Sequence, residues 1–251
     1  MADADTVTPG IGAFLNTTSR SRAFILRIAF IAATGLLPAP SAHAQTTSGG
    51  TPTEDDATPV TPMEDPQLGD HWTYESRDEI TGQVKPTFVQ AITDATAGSV
   101  SLRVTAIDNS NANANYLTFD RSWNLTTSGS WRYAPHDGTG VRTPLAVGKS
   151  WPIKSSDINS IAGITWKRSG TAKVIAQEKV TTKAGTFDTF KIETSFQVQS
   201  PNDPTKKGQV LQQTWFAPAI NHWVRRTYES RLDGRVREKS SAELVDYGRR
   251  D

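Results

Sequence analysis

Three histidines lie beyond residue 44, and each has a carboxylate or an amide beside it: Asp70 before His71, Asp137 after His136, and Asn221 before His222. An imidazole next to an acid could do general acid–base chemistry. Neighbours along a strand point to opposite faces, however, so adjacency alone does not bring these pairs together. Each is read as a structural or surface histidine. A hydrolytic pair of His136 with Asp137 is the residual enzymatic alternative. Asn109, Asn111, Asn113 and Asn115 recur at every second position of the stretch Asp108 to Asn115. Their amide oxygens could ligate calcium, but the run carries too little charge and no acid closes it, so it reads as a solvated loop. The chain has no Gly-x-Ser-x-Gly elbow, no His-Glu-x-x-His pair, no phosphate-binding glycine loop and no dinucleotide fingerprint. It also has no cysteine, which excludes thiolate catalysis, cysteine-ligated zinc, disulfides and a lipid-modified cysteine. No catalytic residue, metal ligand or cofactor is therefore assigned, and the expectation is a protein that is not an enzyme.

One charged residue sits where an apolar one belongs. Near the C-terminus, Arg226 falls on the same strand face as Val224, Tyr228 and Leu232. With an odd-length turn at Asp233 and Gly234, the partner strand would bring Val236, Glu238, Ser240, Ala242 and Leu244 to that side. Buried charge is costly without a partner, so this face is either a cavity wall or partly open to water. The plainer expectation puts Arg226 at the sheet rim with its stem snorkelling. Arg225, Arg231, Arg235, Arg237 and Lys239 are interleaved with Glu229, Asp233, Glu238 and Glu243, which is an ordinary solvated face and not a nucleic-acid surface.

The elements that would position these side chains are strands. From His71 onward the chain reads as short alternating runs separated by turn residues, and no longer stretch carries a helical period. Trp72, Tyr74, Ser76 and Ile80 share one face of a strand from His71 to Ile80, and Val84, Phe88 and Ile92 continue it after a three-residue turn in which Gly82 takes positive φ. Pro86 marks the second strand as an edge or a bulge. Val100, Leu102, Val104 and Ala106 face inward on the third. Short aromatic strands are expected at Tyr116–Phe119, Trp123–Leu125 and Trp131–Tyr133, then a long irregular segment from Ala134 to Ser150 of the kind that often carries function. Two strands, Ile164–Ser169 and Ala172–Val180, lead to a loop at Thr181–Phe187. Next comes a strand Phe190–Val198, in which Phe190, Ile192, Thr194, Phe196 and Val198 alternate with polar residues. A tip rich in Pro, Asn, Asp and Gly joins it to a strand ending near Trp215. The pentapeptide Thr73–Arg77 recurs as Thr227–Arg231; its match stops at once on both sides, so it signals similar sheet environments and not a repeat fold.

The N-terminus has the three parts of a secretory signal: Arg20, Arg22 and Arg27, an apolar run from Phe24 to Leu37, and a small-residue end with Ala42 and Ala44 that places cleavage after Ala44. That run is too short for a stable membrane span. Residues 45–66 are rich in Thr, Pro, Gly and acid and lack any aromatic, a composition expected to form a disordered linker. Three of the 27 basic and seven of the 26 acidic residues precede Gln67, so the remainder carries a net charge of +5. The expected organisation is a signal peptide at 1–44, a linker at 45–66 and one β domain at 67–247.

The spacing of Gly69, Trp72 and Tyr74, of Leu145, Gly148 and Trp151, the loop with Ala184, Gly185, Thr186 and Phe187, and Trp215–Pro218 before Val224 resembles an exported bacterial all-β domain family of unknown function. Asn221 and His222 depart from it, since a glycine is expected before Trp223. The resemblance covers residues 67–247 and brings no catalytic residues. It implies a single curved antiparallel sheet of mostly meander topology, an open or incomplete β-barrel distantly like the periplasmic lipoprotein-carrier half-barrels. Two expectations of function follow. One is a non-catalytic periplasmic or extracellular module that binds an apolar or lipid-like small molecule against Trp72, Tyr74, Phe88, Phe190, Phe196, Arg226 and Tyr228. The other is an envelope scaffold with a filled core and a protein partner.

Overall fold

In the computed structural model of the chain, the described residues are 60–107 and 114–249. The signal stretch with Ala42 and Ala44, most of the linker and most of the asparagine run lie outside them.

Twelve strands follow one another: β1 (His71–Asp78), β2 (Val84–Ala95), β3 (Ser99–Ala106), β4 (Asn115–Asp120), β5 (Leu125–Ser128), β6 (Trp131–Ala134), β7 (Ser150–Asn159), β8 (Ile164–Thr182), β9 (Gly185–Gln199), β10 (Lys207–Ala217), β11 (His222–Leu232) and β12 (Arg235–Gly248). Each pairs antiparallel with its chain neighbours, as the meander expectation required. The expected all-β barrel of one antiparallel sheet is present, but closed where the expectation has it open or incomplete. β1 pairs with β12 from His71 opposite Gly248 to Asp78 opposite Ser240, and the barrel closes. The reason is the reach of β12, which serves β11 along one edge and β1 along the other, so the sheet has no edge strand.

Several local features depart from the period-two reading, each for a physical reason. Alternation divides Ile164–Ser169 from Ala172–Val180, with Gly170 in the gap. β8 instead runs through it, and the residue is glycine because a Cβ there would lie 2.1 Å from the Ser195 carbonyl oxygen and 2.5 Å from Phe196 Cα. The glycine marks a close approach of backbones and not a turn. Trp123 is not in a strand. It has φ 61° in a turn held by Asp120 Oδ1, which accepts from the Ser122 and Asn124 amides at 2.9 Å each. The β1–β2 turn spans five residues, 79–83, with Gly82 at φ 74°. Pro86 sits in a register shift of that pair and beyond the last β3 partner of β2, so its missing N–H costs no ladder bond. The β11–β12 turn has two residues, Asp233 and Gly234, both at positive φ. A register shift at Ser230/Arg231 supplies the odd residue, leaving Glu238 opposite Ser230 and Ala242 opposite Arg226.

A meander puts alternate turns at opposite ends of the barrel, and the two ends differ. At one end the segment from Val60 to Pro66, the last part of the stretch read as linker, lies along the barrel. Met63 is fully buried and its N–H donates to the Ala219 carbonyl at 2.7 Å. Thr61 N–H donates to the Tyr247 hydroxyl, and Asn221 Nδ2 donates to the Glu64 carbonyl. Beneath this strap, Trp72, Trp123, Ile220 and His222 are all buried, forming a closed floor. At the hairpin-tip end Ile80, Val84, Ile107, Tyr116, Ile161, Ile164 and Val236 are exposed.

Candidate functional site

The floor is an aromatic stack. Trp223 lies flat on Tyr74 with centroids 3.7 Å apart and planes at 18°, and Phe88 also stacks with Tyr74 at 5.4 Å. The Tyr74 hydroxyl donates to the Trp223 carbonyl at 2.8 Å. His222 is enclosed by Trp72 at 4.2 Å and Trp123 at 4.6 Å, with Nε2 2.9 Å from Gln90 Oε1. Burial, and then the charge of Arg226, press its pKa well below the ordinary value, so it is neutral at pH 7.

Strand register builds the wall above this floor. One inner row runs Ser76, Ala242, Arg226, Thr214, Ile192 and Val174 across β1, β12, β11, β10, β9 and β8. The next row toward the tips runs Ser240, Tyr228, Gln212, Thr194, Ala172 and Trp151. Arg226 is therefore not a rim residue with a snorkelling stem. Its Cζ lies 4.5 Å from the Trp223 ring centroid, inside the barrel, and Nε donates to Thr214 Oγ1 at 3.3 Å. Burial lowers its pKa to about 10, against the pull of Tyr74 and Asp137, so it remains a cation at neutral pH. Around it the wall is not closed over: Phe88, Arg226, Glu238, Ser240 and Ala242 are all only half-buried.

A second arginine, absent from the sequence-based candidates, lies nearer the tips. Arg168 Nη2 donates to Asp157 Oδ2 at 2.7 Å, and Nη1 lies 3.7 Å from Asp137 Oδ2. The guanidinium covers Phe196 at 4.3 Å and Tyr133 at 5.5 Å. Burial opposes its charge, but the two aspartates hold its pKa above the ordinary value. Burial raises the Asp157 carboxyl, with the guanidinium working against that rise. The sequence did carry a signal for this pair. Asp157 keeps step with Trp151 and Ile153, and Arg168 with Trp166 and Ala172, so opposite charges occupy the inward phase of adjacent strands.

The sequence-predicted residues thus divide. Trp72 and Tyr74 belong to the packed floor, and Phe88 edges it. Phe190 is half-buried opposite Phe216. Phe196 is spoken for by Arg168, while Tyr228 and Arg226 stand in the polar wall. His136 Nδ1 accepts from Gly138 N–H at 3.1 Å, whereas Asp137 accepts from the Leu125 and Thr139 amides and faces Arg168. The pair is adjacent in sequence and uncoupled in space. Among the described residues no group of His, Cys, Asp and Glu could hold a metal ion, and no helix is long and apolar enough to cross a membrane.

No protein-family model matches the chain. No curated protein matches it either. Solved structures similar to it include the following three. One is a Parabacteroides distasonis protein named as a lipoprotein, 14% identical, covering 76% of this chain and 100% of its own, with a TM-score of 0.43. Another is a Bacteroides fragilis protein named as exported and of YmcC-like fold, at 13% identity, 75% and 100% coverage and a TM-score of 0.43. The third is an Escherichia coli protein named as the hypothetical lipoprotein YmcC, at 11% identity, 71% and 85% coverage and a TM-score of 0.43. Likenesses at this level transfer no property to the chain, and its closed barrel rests on its own strand register.

Proposed function

We propose that this is an exported cell-envelope protein that binds an amphipathic, lipid-like molecule inside its barrel and performs no chemistry on it. Export is supported by the order of arginines, apolar run and small-residue end over residues 20–44. The observation that carries the binding reading is the half-buried state of Phe88, Arg226, Glu238, Ser240 and Ala242, which face into a closed barrel whose floor is sealed. Inward side chains that keep accessible area line a recess, and a recess with an aromatic base and a few polar groups suits a small amphiphile. Native mass spectrometry of the protein purified from its own envelope tests this. A co-purifying small molecule, released on unfolding, is the expected result, and repeated recovery of the bare chain would sink the reading.

A scaffolding role is the second reading, and it is favoured by the exposed aliphatic residues at the hairpin tips, Ile80, Val84, Ile107 and Ile161 among them. Replacing Val84 and Ile161 with Ser would weaken capture of an envelope partner in that case.

A further inference from the structure

The chemistry of the bound molecule's inner end can be read from Arg226, an inference that rests on the amphiphile reading above. A guanidinium offers five N–H donors. Among the described residues Arg226 uses one, Nε–H to Thr214 Oγ1, and no carboxylate lies within ion-pair distance of it, in contrast to Arg168. One face of its plane rests on Trp223, which leaves the in-plane donors for a ligand. Across β12 its register partner is Ala242, and beyond that on β1 is Ser76. Both side chains are small. The Ser76 hydroxyl is buried without a partner.

The neighbouring amide adds a second donor. As placed, Gln212 Nε2 donates to Thr214 Oγ1 at 3.1 Å and Gln212 Oε1 has no partner. Thr214 Oγ1 then receives two donors while its own hydrogen goes unused. Turning the amide over, an assignment that heavy-atom positions alone do not fix, lets Thr214 donate to Oε1 and frees the Gln212 NH₂. Arg226, Gln212 and Ser76 then present donors, and what they lack is an acceptor. An oxyanion supplies only acceptors and matches the guanidinium edge in two hydrogen bonds.

We infer that Arg226 seats the carboxylate or phosphate of an amphiphile, head inward on the aromatic floor, with the apolar tail directed to the hairpin tips. The tail direction follows from the floor, which Met63, Trp72, Trp123 and Ile220 close. The exposed aliphatic residues of the tips then flank the emerging chain.

The test titrates the purified protein with dodecanoate, dodecyl phosphate, dodecanol and inorganic phosphate, following tryptophan fluorescence because Trp223 underlies the seat. Both charged amphiphiles are expected to bind roughly ten- to a hundredfold tighter than dodecanol. In Arg226→Met and Arg226→Gln they should fall to the affinity of dodecanol, which stays where it was. If all three amphiphiles bind alike in the wild type, the seat is refuted and the lipid-binding reading survives. Arg226-dependent binding of inorganic phosphate alone keeps the anion seat and removes the amphiphile. Absence of binding by every probe refutes both. The wild-type comparison needs no variant, so a misfolded substitution does not shield the inference.

Discussion

Arg168 and Arg226 sit in the same barrel, on β8 and β11, each with its guanidinium over aromatic rings, and yet they are held by opposite means. Arg168 is met by two carboxylates, Asp157 at 2.7 Å and Asp137 at 3.7 Å, and is itself only 5% exposed. Arg226 is met by one hydroxyl and an indole and keeps accessible area. A charge that is enclosed with its counterions is part of the scaffold. A charge that faces a recess without one is free to meet something from outside. The comparison separates structure from function more sharply than burial alone does, because both residues are inward-facing.

The largest expected effect comes from Arg168→Met, which leaves Asp157 and Asp137 enclosed without a cation. It should cost about 3–5 kcal/mol in urea unfolding, and Asp157→Asn added to it should restore part of the loss. A cost under about 1 kcal/mol would mean the triad is not the enclosed network its distances describe. Acid distinguishes the two halves next. The folded pKa of His222 is depressed, so as pH falls below about 6.5 the unfolded chain protonates first. The stability present above that value is then lost as pH falls, by up to about 1.4 kcal/mol per pH unit. Asp157 has the opposite sign. Its folded pKa is raised, so its contribution is fully present below about 3.8 and is lost as pH rises through the folded value. Denaturant melts from pH 7.5 to 5.0 should therefore weaken the wild type, and His222→Gln should flatten that slope. No change in slope would place the titrating group elsewhere.

Thr214→Val is expected to cost about 1–3 kcal/mol, since Arg226 Nε loses its acceptor and Gln212 its hydroxyl partner. The smallest effect belongs to Arg226→Met. With no counterion stranded, ligand-free stability should move by less than about 1 kcal/mol, in either direction. A loss as large as that of Arg168→Met would show that Arg226 is scaffold after all and would erase the contrast.

The alternation of apolar and polar residues made the strands legible, and with them the inward face of Trp72, Tyr74, Phe196 and Tyr228 and the turn at Gly82. The repeated Thr-Tyr-Glu-Ser-Arg was also readable as a shared environment: Tyr74 and Tyr228 point in, while Glu75 and Glu229 bind Lys183 and Arg231 outside. What alternation could not carry is pairing between distant strands. Closure depends on β1 meeting β12, some 170 residues apart, and the seat at Arg226 depends on which small residues the register sets opposite it. Arg168 and Asp157 are not among the sequence-based candidates, because a charge is tolerable on the inner face only with partners on neighbouring strands, which alternation does not show. Gly170 looked like punctuation because its reason lies on β9, at the Ser195 carbonyl.

The strap at the floor has a consequence for how the molecule is held. Arg249 donates to the Asp70 carboxylate and to the Asp65 carbonyl, so the entering and departing chain are fastened at one pole. Anything tethered through either terminus hangs the barrel from that pole, like a bell from its crown. Its brim of hairpins then swings clear of the attachment, free to approach a surface or a neighbour from any side.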